Sequence, residues 1–205
     1  MIPAKEREGW RQNYSASLDR WKRRAARGSD RGLGQRLIAI ALRSIDPVSR
    51  NTGTTVPKRH FEDFTVGQRL PLPERQVGRP EMIAFAAEFD PQPFHLDERA
   101  AATDLTSGLS ASGWHVCALL MRMLCDAYLV ESSCMGSPGI ETLKWRRPVR
   151  PGDRLTGSST VIELRRSATR PEMGIVRFRH EVVNQAGETV VLMENPIFFR
   201  RGAAA

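Results

Sequence analysis

The sequence predicts an α+β fold in which one long buried helix precedes an antiparallel sheet. Residues 113–130 are apolar at nearly every position, and a helix that is apolar on all sides must be covered by other elements. Residues 174–184 alternate between apolar and polar side chains, which is typical of a strand with one buried face and one wet face. Because several strand-like segments follow the helix, we expect them to form the sheet that covers it.

The positive charge of the chain is concentrated in its first 57 residues. The 205 residues carry a formal net charge of +8. Residues 1–57 hold 12 Lys and Arg against 5 Asp and Glu, a net of +7, and the remainder holds 19 against 18, a net of +1. This distribution argues against a basic face on the folded domain and therefore against nucleic-acid binding. We divide the chain into a basic extension, 1–57, and a domain, 58–205.

Three interpretations of the extension remain open. A solvated, mostly disordered tail is favoured by its abundance of Arg, Ser, Gly and Ala. A targeting or membrane-surface segment is suggested by Leu33–Ile45, which fits a short basic amphipathic helix, although the 5 acidic residues weaken this interpretation. The third interpretation is an incorrectly assigned start, with upstream codons read as protein.

Cysteine usage indicates a reducing compartment. Cys117, Cys125 and Cys134 are odd in number and lack metal-ligand spacing, and the first two fall in the apolar helix as small core residues. No secretory signal is recognisable before the domain, and no run reaches the roughly 20 apolar residues that span a bilayer. We therefore expect a cytoplasmic protein without a membrane span.

Three short elements are expected before the long helix. A first strand spans residues 68–77, and Pro80 lies in the first turn of a helix that spans residues 81–89. Pro91 ends this helix because proline cannot continue it. Asp97 is the expected cap of a second short helix, which ends at residue 103.

The long helix begins after Ser112, its expected N-cap. His115, Arg122 and Asp126 are its polar exceptions, and at about 100° per residue they lie in one narrow stripe. Four strands are expected after it, at 139–146, 154–166, 174–184 and 188–200. Turns are expected at 150–153 and, as a hairpin, at 184–187. A single sheet of this size leaves an edge uncovered, and a homodimer is the ordinary way to cover it.

The segment 90–95, Asp-Pro-Gln-Pro-Phe-His, carries the main chemical signal. It places a carboxylate, Asp90, and an imidazole, His95, on a loop stiffened by two prolines. Gly113 then provides a backbone N–H at the positive end of the long helix. Such a couple and such an N–H are a proton-transfer pair and an oxyanion site. Each feature alone also has an ordinary structural explanation: a helix stop, a buried histidine and a cap.

The pKa of Asp90 is expected to be raised. Its carboxylate follows a helix C-terminus, where the negative end of the helix dipole disfavours a negative charge. Partial burial acts in the same direction. A carboxylate with a raised pKa is the better base.

Residues 90–97 resemble the Asp-x-Asn-Pro-x-His-x-Asp motif of the MaoC-like hydratases and dehydratases, which include the (R)-specific enoyl-CoA hydratases. The spacing of 18 residues from His95 to Gly113 and the turn at 147–153 are also similar to that family, so the likeness covers about residues 60–201. It implies the hot-dog fold, a long helix wrapped by a curved antiparallel sheet. It also implies that Asp90 activates water, that His95 orients this water and helps with the proton at C2, and that the Gly113 N–H stabilises the thioester oxygen.

Three positions depart from the pattern of that family. Gln92 replaces the usual Asn, Ser112 replaces the His of many hydratases, and Met121 stands where some members carry a serine that faces the site. We expect Ser112, Trp114 and Met121 to contact the substrate.

The predicted function is that of a hydro-lyase that hydrates a 2-enoyl thioester or dehydrates a 3-hydroxyacyl thioester, with no metal and no redox cofactor. The substrate is an acyl-CoA or another acyl thioester, and the sequence leaves its acyl chain open. A non-catalytic acyl-thioester-binding subunit remains an alternative, because Gln92 and Met121 depart from the family pattern. A thioesterase is a further alternative, but its carboxylate would have to be Asp126 or Glu131, which lie at the far end of the helix from Gly113.

Overall fold

A single antiparallel sheet supports the domain. Its six strands in the described residues are β1 (Arg69–Gln76), β2 (Cys134–Gly136), β3 (Thr142–Trp145), β4 (Arg154–Arg166), β5 (Met173–Val183) and β6 (Thr189–Arg200). They pair in the order β1-β4-β5-β6-β2, and β3 also pairs with β6. The computed structural model describes residues 59–102 and 107–202, which belong to one compact unit. The predicted extension, 1–57, and its segment Leu33–Ile45 lie outside the described residues.

Three of the α-helices lie where the sequence predicts them, but the segment expected as a proline-stiffened loop contains a further short helix, because Pro93 fits the first turn of a helix. The α-helices of the described residues are α1 (Arg79–Phe89), α2 (Pro93–Leu96), α3 (Glu98–Ala102) and α4 (Gly113–Leu124). A π-helical turn, Cys125–Leu129, continues α4, so the prediction of a long helix over 113–130 is confirmed. Ser112 caps α4 by accepting the N–H of Trp114, and Asp97 accepts two backbone N–H groups at the start of α3.

The core lies between α4 and one face of the sheet. Leu120, Met123 and Leu124 of α4 are buried in the same apolar cluster as Phe178 of β5 and Phe199 of β6. Burial of apolar surface in such a cluster is the main favourable term in folding. The sheet thereby fixes the position of α4 and of the loop that leads into it.

Strand β5 follows the predicted alternation. Phe178, His180 and Val182 are buried, whereas Arg179 and Glu181 are exposed. The hairpin turn at 184–187 and the turn at 150–153 are also confirmed, and each contains a glycine with positive φ. Strand β2 was not predicted, because three residues are too few to show an alternation.

The prediction that α4 is covered on all sides is wrong. Trp114 and Met121 are 60% and 47% exposed, and Ala118 between them is also exposed. The physical reason is that one sheet covers only one side of a helix. An apolar face of α4 is therefore left uncovered in the single chain.

The predicted polar stripe on α4 is also wrong at its first member. Arg122 and Asp126 form an ion pair at 2.8 Å on the outside of the helix. His115, in contrast, is buried under α1, where its ring stacks on that of Phe85 with 4.8 Å between centroids and its Nε2 lies 3.7 Å from Glu81 Oε1. Because α1 crosses the first turns of α4, equal angular position along α4 does not give equal exposure.

A polar network is buried in the middle of the sheet. His180 of β5 is fully buried, and its Nδ1 accepts the hydroxyl hydrogen of Ser159 at 2.8 Å. Its Nε2 donates to the side-chain oxygen of Asn195 at 2.9 Å. Burial lowers the pKa of His180 to about 4, so the ring is neutral in the folded protein at pH 7.

Candidate active site

Asp90 occupies the C-cap of α1, with its own N–H donating to Ala86 O at 2.9 Å. Pro91 prevents the helix from continuing, so the carboxylate turns out of the helix axis. Its Oδ1 accepts a hydrogen bond from Gln92 Nε2 at 2.7 Å, and its Oδ2 accepts one from Ser112 Oγ at 2.7 Å. The side chain is 18% exposed, so the carboxylate is held on both oxygens and still reaches solvent.

The predicted raised pKa of Asp90 is wrong. Burial by itself would raise it, but the hydrogen bonds from Ser112 and Gln92 and the nearby His95 outweigh burial and lower the pKa. Hydrogen bonds to the ionised form favour that form. The sequence shows the helix end before Asp90 but not the serine donor, which comes 22 residues later.

His95 lies in the short helix α2 and is buried. Its Nδ1 lies 2.9 Å from the backbone oxygen of Ser110. Because a carbonyl can only accept, Nδ1 must carry the hydrogen, and in the neutral ring Nε2 is then an acceptor. Nε2 lies 3.4 Å from Asp90 Oδ2, so the structure brings together the predicted acid–imidazole couple.

The couple presents two acceptors to the same small volume. An ionised carboxylate and a neutral imidazole nitrogen repel each other unless a proton or a donor lies between them. One water molecule satisfies both acceptors, because it donates two hydrogens and keeps its lone pairs. The arrangement of Asp90 and His95 is therefore suited to holding and deprotonating water.

The loop before α4 is held in place by the segment that follows β3. Arg150 Nη1 donates to the backbone oxygens of Gly108 and Leu109, and the N–H of Ala111 donates to Val149 O at 2.9 Å. This loop carries Ser110, the backbone partner of His95. The turn after β3 thus determines the orientation of the imidazole, which local sequence patterns do not reveal.

Gly113 is the first residue of α4, and the helix geometry leaves its N–H without an intrahelical partner. Trp145 of β3 packs against it: the indole Nε1 donates to Gly113 O at 3.0 Å. A Cβ at position 113 would lie 2.7 Å from Trp145 Cε2, which is closer than side chains tolerate. The glycine is therefore required by Trp145, a residue that the sequence did not single out.

The predicted substrate contacts differ in accessibility. Ser112 is fully buried, with its hydroxyl between Asp90 and the N–H of Trp114. Trp114 is exposed and meets Trp145 edge to face, with 5.9 Å between ring centroids. Met121, two turns further along α4, is also exposed. Trp114 and Met121 are accessible to a ligand, whereas Ser112 is enclosed.

The carboxylates that a thioesterase would need lie elsewhere. Asp126 belongs to the π-helical turn at the opposite end of α4 and pairs with Arg122. Glu131 follows that turn. Within 59–102 and 107–202, no cluster of three or more His, Cys, Asp or Glu has the geometry to hold a metal ion.

Comparison with known proteins identifies the family. The model of the MaoC like domain matches residues 62–184, which is more than half of the chain. This chain belongs to the MaoC-like family. A MaoC-like dehydratase from Rhodospirillum rubrum is 40% identical, and its structure superimposes with a TM-score of 0.66 over 71% of this chain and 99% of that chain.

Two further members of the comparison are more distant. R-hydratase PhaJ1 from Pseudomonas aeruginosa is 27% identical, with a TM-score of 0.57 over 71% of this chain and 88% of that chain. The uncharacterized protein YdeM from Bacillus subtilis (strain 168) is 27% identical over 142 residues, 69% of this chain and 99% of that protein. The MaoC-like family includes hydratases, and the predicted α+β hot-dog fold is confirmed. The described helices of this member include none that is long and apolar enough to cross a bilayer.

Proposed function

We propose that the protein is a hydro-lyase that adds water reversibly to a 2-enoyl thioester, giving a 3-hydroxyacyl thioester. The observation that supports this most is the pair of acceptors formed by Asp90 Oδ2 and His95 Nε2, which lie 3.4 Å apart. A hydrogen bond from Ser112, the N-cap of α4, connects this pair to the N-terminus of the helix. The R-hydratase among its relatives supports the same reaction class.

The proposed reaction proceeds without a covalent intermediate on the protein. The water oxygen bonds to C3 of the enoyl group while one of its protons passes to the Asp90–His95 couple. The electron pair of the double bond moves toward the thioester oxygen, where the N–H of Gly113 stabilises the developing negative charge. A proton from the couple then bonds to C2, which restores the thioester and the initial protonation of the site.

His95 and Asp90 exchange protons with the substrate as one unit in this scheme. The Ser110 carbonyl holds the proton on Nδ1, so Nε2 is the ring atom that exchanges a proton with water. Ionised Asp90 stabilises the imidazolium that forms. Because coupled groups share their protons, the assignment of base and acid belongs to the pair rather than to one residue.

We propose that the acyl thioester, as CoA or carrier-protein ester, lies across the exposed side of α4. Trp114 and Met121 offer apolar surface beside Gly113 on this side. The protein is proposed to act in the cytoplasm, in keeping with its three free cysteines.

Replacement of Asp90 by Asn tests this function. The rate of enoyl-CoA hydration, followed by loss of the enoyl-thioester absorbance, should fall by about 10²- to 10⁴-fold because an amide accepts no proton. Asp126→Asn is the matched control, since its carboxylate lies at the other end of α4, and it should retain the wild-type rate. Undiminished hydration in Asp90→Asn would exclude the proposed role of the couple.

Two other outcomes would replace the proposal. Release of free thiol from acyl-CoA, lost in Asp126→Asn, would identify a thioesterase. Binding of acyl-CoA without turnover of any enoyl-CoA in a panel of chain lengths would identify a non-catalytic binding subunit.

A further inference from the structure

We propose that Ser112 is a positioning residue whose hydroxyl fastens the carboxylate of Asp90 to the N-terminus of α4. The proposal rests on the proposed function, since it concerns the same carboxylate. It replaces the expectation that Ser112 contacts the substrate. The serine is fully buried and has no surface left for a ligand.

The hydrogen bonds of the hydroxyl determine its role. Ser112 Oγ accepts the N–H of Trp114 at 3.2 Å, which is the N-cap interaction of α4. Its single hydrogen is directed to Asp90 Oδ2 at 2.7 Å. A serine hydroxyl has one hydrogen to donate, so this hydrogen is committed to Asp90.

Capping alone does not explain a serine at this position. Asp is as good an N-cap as Ser, but at position 112 it would place a second carboxylate against Asp90. Small apolar residues would leave Asp90 Oδ2 without its donor. Only a side chain that accepts from the helix and donates to the acid meets both requirements in this space.

The contact couples two parts of the proposed site. Gln92 holds Asp90 Oδ1 at 2.7 Å, and Ser112 holds Oδ2, so the carboxylate cannot rotate about its last bond without losing a hydrogen bond. Oδ2 is also the atom that faces His95. The residue after Ser112 is Gly113, so one side chain sets the distance between the carboxylate and the backbone N–H that would stabilise the thioester oxygen.

A consequence for titration follows from the geometry. The hydrogen bond from Ser112 favours the ionised form of Asp90 and contributes to lowering its pKa. Removal of the hydroxyl should therefore raise the pKa of Asp90. A role in capping alone would leave this pKa unchanged.

Three variants separate the two roles of Ser112. Ser112→Gly keeps an accepted N-cap residue but has no hydroxyl, Ser112→Ala loses both features, and Ser112→Thr keeps both. Turnover of enoyl-CoA against pH should show kcat lowered about 10- to 100-fold in the Gly and Ala variants, with the acidic limb of the profile moved to higher pH. The Thr variant should restore the wild-type profile, and KM should change little in all three.

The pKa of Asp90 itself is measured without any turnover, by carbon-13 NMR of the carboxyl group in wild type, Ser112→Gly and Ser112→Thr. We expect a raised value in Ser112→Gly and the wild-type value in Ser112→Thr. A wild-type pKa in Ser112→Gly would overturn the positioning role, even if the enzyme is active. A raised pKa in a protein that hydrates no enoyl-CoA would instead retain the contact and refute the proposed function.

Discussion

Asp90 Oδ2 is the atom on which the candidate site depends. It accepts the hydrogen of Ser112 from one side and faces Nε2 of His95 from the other. The two residues beside it come from other elements: His95 belongs to α2, and Ser112 to the loop before α4. A misplacement of about 1 Å in such a couple can lower a rate by about 100-fold, so these contacts matter more than the burial of the carboxylate.

Gly113 yields a prediction at the same scale. Gly113→Ala places a methyl group 2.7 Å from the Trp145 ring, so the indole or the helix start must move. We expect the free energy of unfolding to fall by about 1–3 kcal/mol. The rate of hydration should fall by about 10²- to 10³-fold, because the N–H proposed to stabilise the thioester oxygen is displaced.

The double variant Gly113→Ala/Trp145→Ala shows whether the indole is the cause. Gly113→Ala should lower the free energy of unfolding much less in the Trp145→Ala protein than in wild type, because the methyl group then has room. Urea unfolding of the four proteins gives the coupling energy. Strictly additive losses would show that Trp145 is not what requires a glycine here.

At the scale of elements, three strands meet at His180. β4 supplies Ser159, β5 supplies the imidazole and β6 supplies Asn195, so the network joins the centre of the sheet. Because all three groups have partners, the cost of burying them is offset by hydrogen bonds. This holds only while the imidazole is neutral, with one nitrogen donating and the other accepting.

The network predicts a loss of stability in acid. The pKa of His180 is about 4 in the folded chain against an ordinary 6.5, so the unfolded chain takes up the proton first as pH falls. The contribution of His180 is therefore complete above pH 6.5 and is lost between pH 6.5 and 4, by roughly 1.4 kcal/mol per pH unit. His115, whose pKa burial also lowers to about 4, acts in the same direction.

Urea unfolding at pH 7 and at pH 5 measures this effect. Wild type should be less stable at pH 5, and the difference between the two pH values should shrink in His180→Gln. An amide side chain cannot be protonated in this range, so its burial does not depend on pH. An equal difference in both proteins would exclude His180 as a source of the acid sensitivity.

At the scale of the whole molecule, the single chain leaves apolar surface uncovered. Besides Trp114 and Met121, which are assigned to the thioester, large exposed apolar side chains lie at the end of the π-helical turn and at β3: Val130, Ile140 and Trp145. β3 also has an outer edge in the described sheet. Apolar side chains beside a sheet edge are the features that a second copy of a chain commonly covers, which supports the predicted homodimer.

The homodimer is testable by mass. Sedimentation equilibrium should give twice the chain mass of 23.0 kDa, and Ile140→Glu should shift the protein toward that single-chain mass because a carboxylate is costly to bury. Val66→Glu is the control, since Val66 is an exposed apolar residue before β1. A monomeric wild type, or equal dissociation by both variants, would contradict the assigned surface.

Much of the fold could be predicted from patterns in the sequence. The long apolar segment gives α4, and the alternation of Phe178, Arg179 and His180 gives the two faces of β5. These predictions succeed because burial repeats with the period of the helix or the strand. They fail where another element intervenes, as at His115, which α1 covers.

The order of residues along the chain was enough to predict the family motif, an acid and an imidazole five residues apart beside two prolines, and the glycine at a helix start, because each is encoded by neighbours in the chain. The folded chain alone shows that Ser112 donates to Asp90, that the Ser110 carbonyl orients the imidazole, and that Trp145 packs on Gly113. These contacts reversed the expected direction of the Asp90 pKa shift. They depend on which loops the sheet and α4 place side by side, and no local period in the chain records that.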